Sequence, residues 1–414
     1  MGNKRSMNIR KPEVLAPAGD WERFQFALQY GADAIYLGGK QFTMRAAPAN
    51  FTAEQLAAAV QLAHAKGVKV YLTCNTLPHN ADLPQFLPYL REMAETGIDA
   101  VIVADLGLLA LIRKALPDLE IHMSTQMGIV NYETANALYD LGVKRVVLAR
   151  ELSLEEIAEI RAKTPADLEL EAFVHGAMCV SFSGRCLLSA YLTGRDANQG
   201  ACAQPCRWKY RLMEETRPGQ YFPVEEHDEG TYIMNAKDLC MIDHIPELLA
   251  AGVDSLKLEG RAKSSYYVAV VTNAYRSAVD AYLQQPEGFV LPEWIREEVY
   301  KVSHRGYCTG FFFGKPEAGQ RYTDNSYDRS FDVIAIADDW RDGMLYVTQR
   351  NRFFAEDTVE LLAPERQPIT IPLNGNLFDE TGERITVANH AMMACAFPCS
   401  VAVPKGTIVR KRAE

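Results

Sequence analysis

The chain has 414 residues, of which 48% are hydrophobic, and its formal net charge at pH 7 is −10. This length exceeds the needs of one ordinary domain, and the hydrophobic content excludes a chain that is disordered as a whole. The acidic balance argues against a general electrostatic affinity for nucleic acid but is compatible with a local basic patch.

Targeting and membrane signals are missing from the sequence. No apolar run approaches the roughly 20 residues of a membrane span. The stretch before Pro12 contains charges but no apolar core typical of a signal peptide. We therefore expect a cytoplasmic protein without membrane association, in which clustered cysteines bind metal or perform chemistry more often than they form disulfides.

A helical pattern, a glycine and a nearly continuous apolar run recur along the first two thirds of the chain, as in "YGADAIYLGG" from Tyr30 and "TGIDAVIVAD" from Thr96. Glycine just past a helix supplies its left-handed cap, and an apolar run without alternation suits a strand buried on both faces. The repetition is typical of a parallel α/β fold. Eight strands are predicted, at 14–17, 34–38, 69–75, 100–105, 120–126, 145–150, 168–175 and 255–259.

Eight strands within about 260 residues favour a closed (β/α)8 TIM-like barrel over the alternative, an open doubly wound sheet. In such a barrel the residues that follow each strand face the end that holds the active site. These positions are polar here, and they are Asn75, Asp105, Gln126, Arg150 with Glu151, His175, and Glu259 with Arg261.

The connection between the seventh and eighth strands is abnormally long, about 80 residues, roughly twice what a helix and two turns require. We predict a cysteine-rich insertion at about 177–250, at the barrel end where such enzymes keep cofactors and lids. Its cysteines are Cys179, Cys186, Cys202 and Cys206, with Cys240 a further candidate.

Four gathered thiolates are most simply explained by a metal. Zinc ribbons usually have C-x2-C knuckles, which are missing here, whereas an iron–sulfur cluster tolerates looser spacing. Incidental core thiols remain an alternative for the four, and are the favoured interpretation of the isolated Cys74, Cys308, Cys395 and Cys399. A Cys179–His175 nucleophile is a further alternative with a weak signal.

Basic and aromatic side chains are interleaved with these cysteines. Arg185, Arg195 and Arg207 are candidate phosphate contacts, and Trp208 is a candidate stacking platform for an RNA base. The alternative is an ordinary surface loop with solvated arginines.

The domain plan follows from these patterns. A barrel domain at 1–285, with the insertion, is followed by a connector at 286–330. From 331 to 414 short alternating runs separated by turn signals predict a small all-β barrel module.

Three segments, "EAFVHGAMCVSFSGRCLLSAYLTGRDANQGACAQPCRW", "GTYIMNAKDLCMI" and "SLKLEGRAKSSYYV", closely resemble the collagenase-like family of unassigned peptidases. The chain is most similar to the branch that makes 5-hydroxyuridine in tRNA. The resemblance implies an α/β barrel with a 4Fe-4S cluster, and RNA or ubiquinone-ring hydroxylation without molecular oxygen. It also implies prephenate as the hydroxyl donor in the RNA branches. By the same resemblance Cys179, Cys186 and Cys202 match three cluster ligands, with Cys206 the fourth and Cys240 in reserve.

The resemblance also suggests roles around the barrel mouth. Prephenate carries two carboxylates, for which Arg150, Arg261 and Lys257 are reasonable partners, unless Lys257 points out of the barrel. We expect Asn75 and Gln126 to contact substrate as well, and His175, Glu259 and Arg261 to act in catalysis.

tRNA, a small organic acid and a second protein of the same family are the candidate partners. A peptidase with unassigned catalytic residues, and a non-catalytic cluster-bearing assembly factor, are the competing classes.

Overall fold

The computed structural model describes residues 10–45, 49–179, 181, 186–208, 212–213, 221–222, 237–314 and 330–413. Its first part is a closed eight-stranded parallel barrel, because the last barrel strand pairs with both the first and the seventh. The predicted (β/α)8 barrel is confirmed. Seven strands come first, β1 (Glu13–Ala18), β2 (Ala34–Gly38), β3 (Lys69–Cys74), β4 (Ala100–Val103), β5 (Glu120–Met123), β6 (Arg145–Val147) and β7 (Glu169–Ala177). Three short strands, β8 (Leu212–Met213), β9 (Tyr221–Phe222) and β10 (Asp238–Cys240), then precede the eighth barrel strand, β11 (Ser255–Leu258).

Helices cover the outside of the barrel, and their apolar faces share one core with the outward side chains of the strands. Capping residues determine where several of these helices begin. Thr52 and Ser153 each start a helix with a capping box, completed by Gln55 and Glu156. The helices are α1 (Trp21–Gln29), α2 (Ala53–His64), α3 (Leu83–Ala94), α4 (Leu106–Ala115), α5 (Tyr132–Asp140), α6 (Leu154–Ala162), α7 (Leu188–Thr193), α8 (Ile245–Ala250), α9 (Ser265–Gln284) and α10 (Glu293–Tyr300).

A network of charged side chains fills part of the barrel interior. The Arg145 guanidinium lies 2.6 Å from Glu13, 2.6 Å from Glu169 and 3.0 Å from Glu171. The other Glu171 oxygen accepts from Lys257 Nζ at 2.6 Å. Burial alone would raise the pKa of Glu13, but Arg145 outweighs burial and holds it at about 2. Glu13 and Glu171, whose pKa is also lowered, therefore remain ionised inside the barrel.

The seventh strand continues beyond the barrel wall. Its end pairs antiparallel with β10, so that Cys240 is opposite His175, and β10 pairs in parallel with β12 (Tyr307–Cys308). The register between β7 and β11 shifts by one residue, because Lys257 pairs with Phe173 and Leu258 pairs with His175. This bulge reverses the facing of the last β7 residues.

The C-terminal part is an all-β domain with its own core, as predicted. Seven strands form an antiparallel sheet in the order β17-β16-β21-β13-β14-β20-β18, and β15 pairs with β19. No pairing closes the sheet into a barrel among the residues described. The strands are β13 (Phe331–Arg341), β14 (Met344–Gln349), β15 (Phe353–Phe354), β16 (Thr358–Leu362), β17 (Ile369–Pro372), β18 (Phe378–Asp379), β19 (Val387–Ala388), β20 (Ala394–Pro398) and β21 (Ile408–Arg412).

Buried polar contacts join this domain to the barrel helices. Arg410 of β21 lies 2.6 Å from Glu298 of α10 and 2.7 Å from Glu360. Tyr30, just past α1, donates to the Leu362 carbonyl at 2.7 Å. The β domain thus packs against the barrel wall. None of the helices in the described ranges is both long enough and apolar enough to cross a bilayer.

The interior network predicts a large effect of one substitution. Arg145→Met would leave three carboxylates buried or half-buried without their shared cation, which costs about 3 to 5 kcal/mol in the free energy of unfolding. Urea denaturation measures this loss. Lys163→Ala removes an exposed pair with Glu159 and should hardly change the free energy of unfolding, because solvent screens such pairs. Equal losses for the two variants would contradict the interpretation.

Candidate active site at the barrel mouth

A cavity lies at the carboxyl ends of the barrel strands and encloses about 570 Å³, counting its open mouth. The space inside the mouth is smaller, about 100 Å³, and the ends of barrel strands are where such folds bind small ligands. The structure brings six of the predicted site residues together around it, and they are Asn75, Gln126, Arg150, Lys257, Glu259 and Arg261. Their proximity follows from the barrel, in which all strands end on the same face.

Arg261 is buried and is held by neutral oxygens. Its guanidinium donates to Thr43 Oγ1 at 2.7 Å, Thr73 Oγ1 at 3.0 Å and Asn50 Oδ1 at 2.7 Å. Burial lowers the pKa of Arg261 to about 10, so it remains cationic at neutral pH. A Cβ on Gly38 would lie 2.3 Å from Arg261 Nη2, so a glycine at the end of β2 provides the space for this guanidinium.

Arg150 enters the cavity from the segment after β6. Its Nη1 donates to the Ala177 carbonyl at 2.8 Å, and its guanidinium lies 4.0 Å from the centre of the Phe173 ring. Nε of Arg150 and Nε of Arg261 are buried, and neither has a hydrogen-bond partner among the residues that the structure describes. Within the described residues neither guanidinium has a carboxylate oxygen within 4.0 Å. Both are therefore available to an anionic ligand.

Glu259 is the carboxylate of the cavity wall. One of its oxygens accepts from Arg45 Nη2 at 3.0 Å, and the other lies 3.3 Å from Tyr36 Oη. Burial alone would raise the pKa of Glu259, but Arg45, Arg150 and Arg261 outweigh burial and hold it at about 2. Near neutral pH Glu259 is therefore ionised and has no proton to donate, and its predicted catalytic role stays a prediction.

Arg45 was not among the predicted site residues. It lies in the β2–α2 loop, well past the end of β2 at Gly38, so it does not directly follow a strand. The loop is long enough to fold back over the mouth, and its composition, "KQFTMRAAPAN", offers one arginine. A single arginine in a loop at the barrel mouth was the one feature of the sequence that could have indicated Arg45 as a site residue.

Lys257 points into the barrel, which settles the uncertainty left by strand alternation. Besides its ion pair with Glu171, its ammonium lies 4.5 Å from the centre of the Tyr36 ring and 5.4 Å from that of Phe173. Lys257 is the fourth cationic side chain of the cavity wall, after Arg45, Arg150 and Arg261, and Glu171 neutralises part of its charge.

Two amides complete the polar lining. Gln126 Oε1 is buried and has no hydrogen-bond partner in the described part of the chain, so it can accept a hydrogen bond from a ligand. Asn75 Oδ1 accepts from the Met44 backbone N–H at 3.2 Å and so ties the β3 end to the β2–α2 loop.

His175 does not line the cavity. Because of the β7 bulge its ring lies among Tyr267, Tyr275 and Tyr307, at centroid distances of 5.2 to 6.0 Å. Burial lowers the pKa of His175 to about 3, so the imidazole is neutral, and no described residue forms a hydrogen bond with its Nδ1. Its predicted catalytic role therefore gains no geometric support, and it stays a prediction.

The nine cysteines differ in exposure. Cys179 and Cys202 are exposed, and Cys74, Cys395 and Cys399 are buried. The half-buried ones are Cys186, Cys206, Cys240 and Cys308. None of the nine cysteines is in a disulfide. The described residues contain no group of three or more His, Cys, Asp or Glu side chains arranged around a metal position. Residues 180 and 182–185, between Cys179 and Cys186, lie outside the description.

Cys240 has a different environment. It packs against the barrel core, and burial raises the pKa of its thiol to about 12, with Tyr275 as a neighbour. A protonated thiol of this kind is typical of a core cysteine rather than of a metal ligand.

The cysteine-rich segment lies against the cavity rim. The Leu77 N–H donates to the Asn198 carbonyl at 3.3 Å, and Asn198 Nδ2 donates to the Cys186 carbonyl at 3.4 Å. A Cβ on Gly200, two residues before Cys202, would lie 2.8 Å from the Thr43 carbonyl oxygen. This segment therefore packs against the loop that contains Arg45.

The predicted RNA contacts are only partly described. Arg195 is exposed, and Trp208 is 44% exposed. Arg207 lies in a short 3-10 turn, but its side chain falls outside the description, as does the whole of Arg185. An exposed indole and guanidinium are suited to base stacking and phosphate contact.

Four cationic side chains and one carboxylate thus line a partly enclosed cavity. Such an arrangement attracts small anions, because low-dielectric walls strengthen the field of the fixed charges.

Comparison with known proteins agrees with this architecture. Residues 19–322 match the model of Peptidase family U32, and residues 329–410 match that of the Peptidase family U32 C-terminal domain. The chain is a barrel protein that belongs to peptidase family U32.

Its similar relatives include the tRNA hydroxylation protein P1 of Bacillus subtilis, 37% identical over 413 residues, covering 99% of this chain and 97% of that protein. The tRNA hydroxylation protein P of Escherichia coli is 37% identical over 404 residues, covering 86% of this chain and 87% of that protein. A collagenase of Porphyromonas gingivalis is 34% identical over 320 residues, covering 75% of each.

The Glu259 environment predicts a pH dependence. A carboxyl whose pKa is lowered in the folded state contributes stability that is present above its unfolded pKa and is lost as pH falls through the folded value. The difference in unfolding free energy between wild type and Glu259→Gln should therefore be constant above about pH 5 and shrink from about pH 4.5 toward pH 2. Denaturant titrations at stepped pH measure it, and a pH-independent difference would contradict the ion pairing.

Proposed function

We propose that this protein is an RNA-modifying enzyme that hydroxylates the wobble uridine of tRNA to 5-hydroxyuridine. The observation that supports it most directly is the pair of cavity-lining guanidinium groups, Arg150 and Arg261, without a carboxylate partner in the described residues. Relatives at 37% identity that are named tRNA hydroxylation proteins support RNA as the substrate.

Prephenate is the proposed hydroxyl donor. Its two carboxylates match two guanidinium groups, each of which can bind a carboxylate bidentately. Lys257 adds positive charge from the cavity wall, and the unpartnered Gln126 Oε1 can accept a hydrogen bond from the donor's hydroxyl group. In this scheme the chain's residues orient the donor and exclude water, while Glu259 stays a fixed anion.

The tRNA must present its uridine unstacked, which an anticodon loop allows at low cost. We place the RNA on the cysteine-rich segment, where the exposed Trp208 ring offers a stacking surface and Arg195 a phosphate contact. A local basic and aromatic patch of this kind is compatible with a net charge of −10.

An iron–sulfur cluster is the proposed cofactor, with Cys179, Cys186, Cys202 and Cys206 as its ligands. The donor set suits iron, since thiolate is a soft ligand and each of these four cysteines is at least partly exposed. The Gln204 N–H donates to Cys202 Sγ at 3.4 Å, a contact of the kind that tunes cluster sulfurs. When bound, the cluster would supply electron transfer beside the cavity, consistent with a hydroxylation that uses no molecular oxygen.

Proteolysis is the second candidate, favoured by the family description and by the relative named collagenase. It would need a nucleophile paired with a base. His175 is neutral, buried among tyrosines and unpartnered at Nδ1, which disfavours its pairing with the exposed Cys179. Gelatin cleavage by the apo protein would support this candidate over hydroxylation.

The proposed reaction predicts a nucleoside phenotype. Deleting the gene in its host should abolish 5-hydroxyuridine derivatives in digested tRNA, and wild type on a plasmid should restore them. Arg261→Met should restore them roughly 10- to 100-fold less efficiently, because a charge-assisted contact to the donor is lost. Lys163→Ala, with an exposed pair far from the cavity, serves as the matched control. Mass spectrometry quantifies the nucleosides, and unchanged levels in the deletion strain would refute the proposal.

The proposed ligand set predicts metal content. Wild type purified without oxygen should contain about four iron and four sulfide per chain. Alanine substitution of Cys179, Cys186, Cys202 or Cys206 should remove most of both, whereas Cys240→Ala should retain them. Iron and sulfide assays with electron paramagnetic resonance measure this. If Cys240→Ala lost its iron while Cys206→Ala kept it, the fourth ligand would be reassigned to Cys240.

A further inference from the structure

Arg45 and Glu259 form an ion pair in the cavity wall, near the mouth of the cavity. Their N···O distance is 3.0 Å, and the Arg45 side chain is 38% exposed while that of Glu259 is 13% exposed. Arg45 thus lies on the outer side of the carboxylate. Asn50 Nδ2 donates to the Arg45 carbonyl at 2.9 Å, which holds the backbone of the loop at this position.

Glu259 presents a problem for an anion site. It lies in the same cavity wall as Arg150 and Arg261, and both contribute to its lowered pKa. A carboxylate so placed is itself a competitor for these cations. Without another partner it would neutralise the positive charge that a ligand needs.

We propose that Arg45 is a positioning residue that holds the Glu259 carboxylate and so keeps Arg150 and Arg261 open to an anionic ligand. Arg45 acts through Glu259. The second Glu259 oxygen accepts a hydrogen bond from the neutral Tyr36 hydroxyl at 3.3 Å. The inference deepens the proposed function, because the open cations are those assigned to the donor.

The proposal differs from a simple ligand contact by Arg45 in one respect. If Arg45 bound the ligand directly, its loss would weaken binding whether or not Glu259 were charged. If Arg45 only restrains Glu259, removing the Glu259 charge should make Arg45 dispensable. A double-mutant cycle separates the two.

The test uses purified holoprotein and isothermal titration with two probes, prephenate and the simple dicarboxylate malonate. Arg45→Ala should weaken binding of both probes about tenfold, because the Glu259 carboxylate loses its partner and then competes with the probe for Arg150 and Arg261. Arg45→Lys, which keeps the cation, should stay within about threefold of wild type. Glu259→Gln should bind at least as tightly as wild type, and Arg45→Ala combined with Glu259→Gln should lie within about threefold of Glu259→Gln. Thermal melting checks that each variant is folded.

The outcomes separate this inference from the function on which it rests. A double variant that binds as weakly as Arg45→Ala would overturn the positioning role while leaving the donor assignment intact. Wild type that binds malonate but not prephenate would refute the donor assignment, and the malonate cycle would still decide the role of Arg45. Wild type that binds neither probe would overturn both.

Discussion

The Arg145 guanidinium, enclosed in the closed barrel, is the interaction on which the arrangement of the site depends. Its three carboxylate partners come from β1 and β7, so the cation fixes the register of these strands relative to β6. A buried cation is costly unless its partners have good geometry. Here Glu171 also accepts a hydrogen bond from Lys257 at 2.6 Å. This second bond positions Lys257, which lines the cavity, relative to the buried network. The position of Lys257 in the cavity wall is therefore set by charges that lie below the cavity.

Two buried arginines illustrate opposite uses of the same side chain. Arg145 is compensated by carboxylates, and although burial acts to lower its pKa, Glu13 and Glu171 raise it well above its ordinary value. Arg261 is bonded only to hydroxyl and amide oxygens among its described contacts, and burial lowers its pKa to about 10. The first arrangement stabilises the barrel. The second preserves a net charge at the strand ends, where a functional site is expected.

The strands could be predicted because glycine-terminated helices and continuous apolar runs repeat at regular intervals, and the positions after those strands then followed from barrel geometry. Asn75, Gln126 and Arg261 were found this way. His175 was misplaced relative to the cavity because a one-residue bulge, which leaves no mark in the hydrophobic pattern, turns it toward α9. Arg45 was missed because its position depends on how a long loop folds back, a tertiary property that local pattern does not encode.

The β2–α2 loop links the cavity to the cysteine-rich segment. Thr43 and Asn50 bond Arg261, while Arg45 binds Glu259, so the loop orders both sides of the cavity charge. Gly200 packs against the same loop so closely that a Cβ there would lie 2.8 Å from the Thr43 carbonyl oxygen. A side chain at this position would force the segment that contains Cys202 away from Arg45. Close backbone packing, rather than a flexible tether, therefore sets the distance between the proposed cofactor ligands and the anion site.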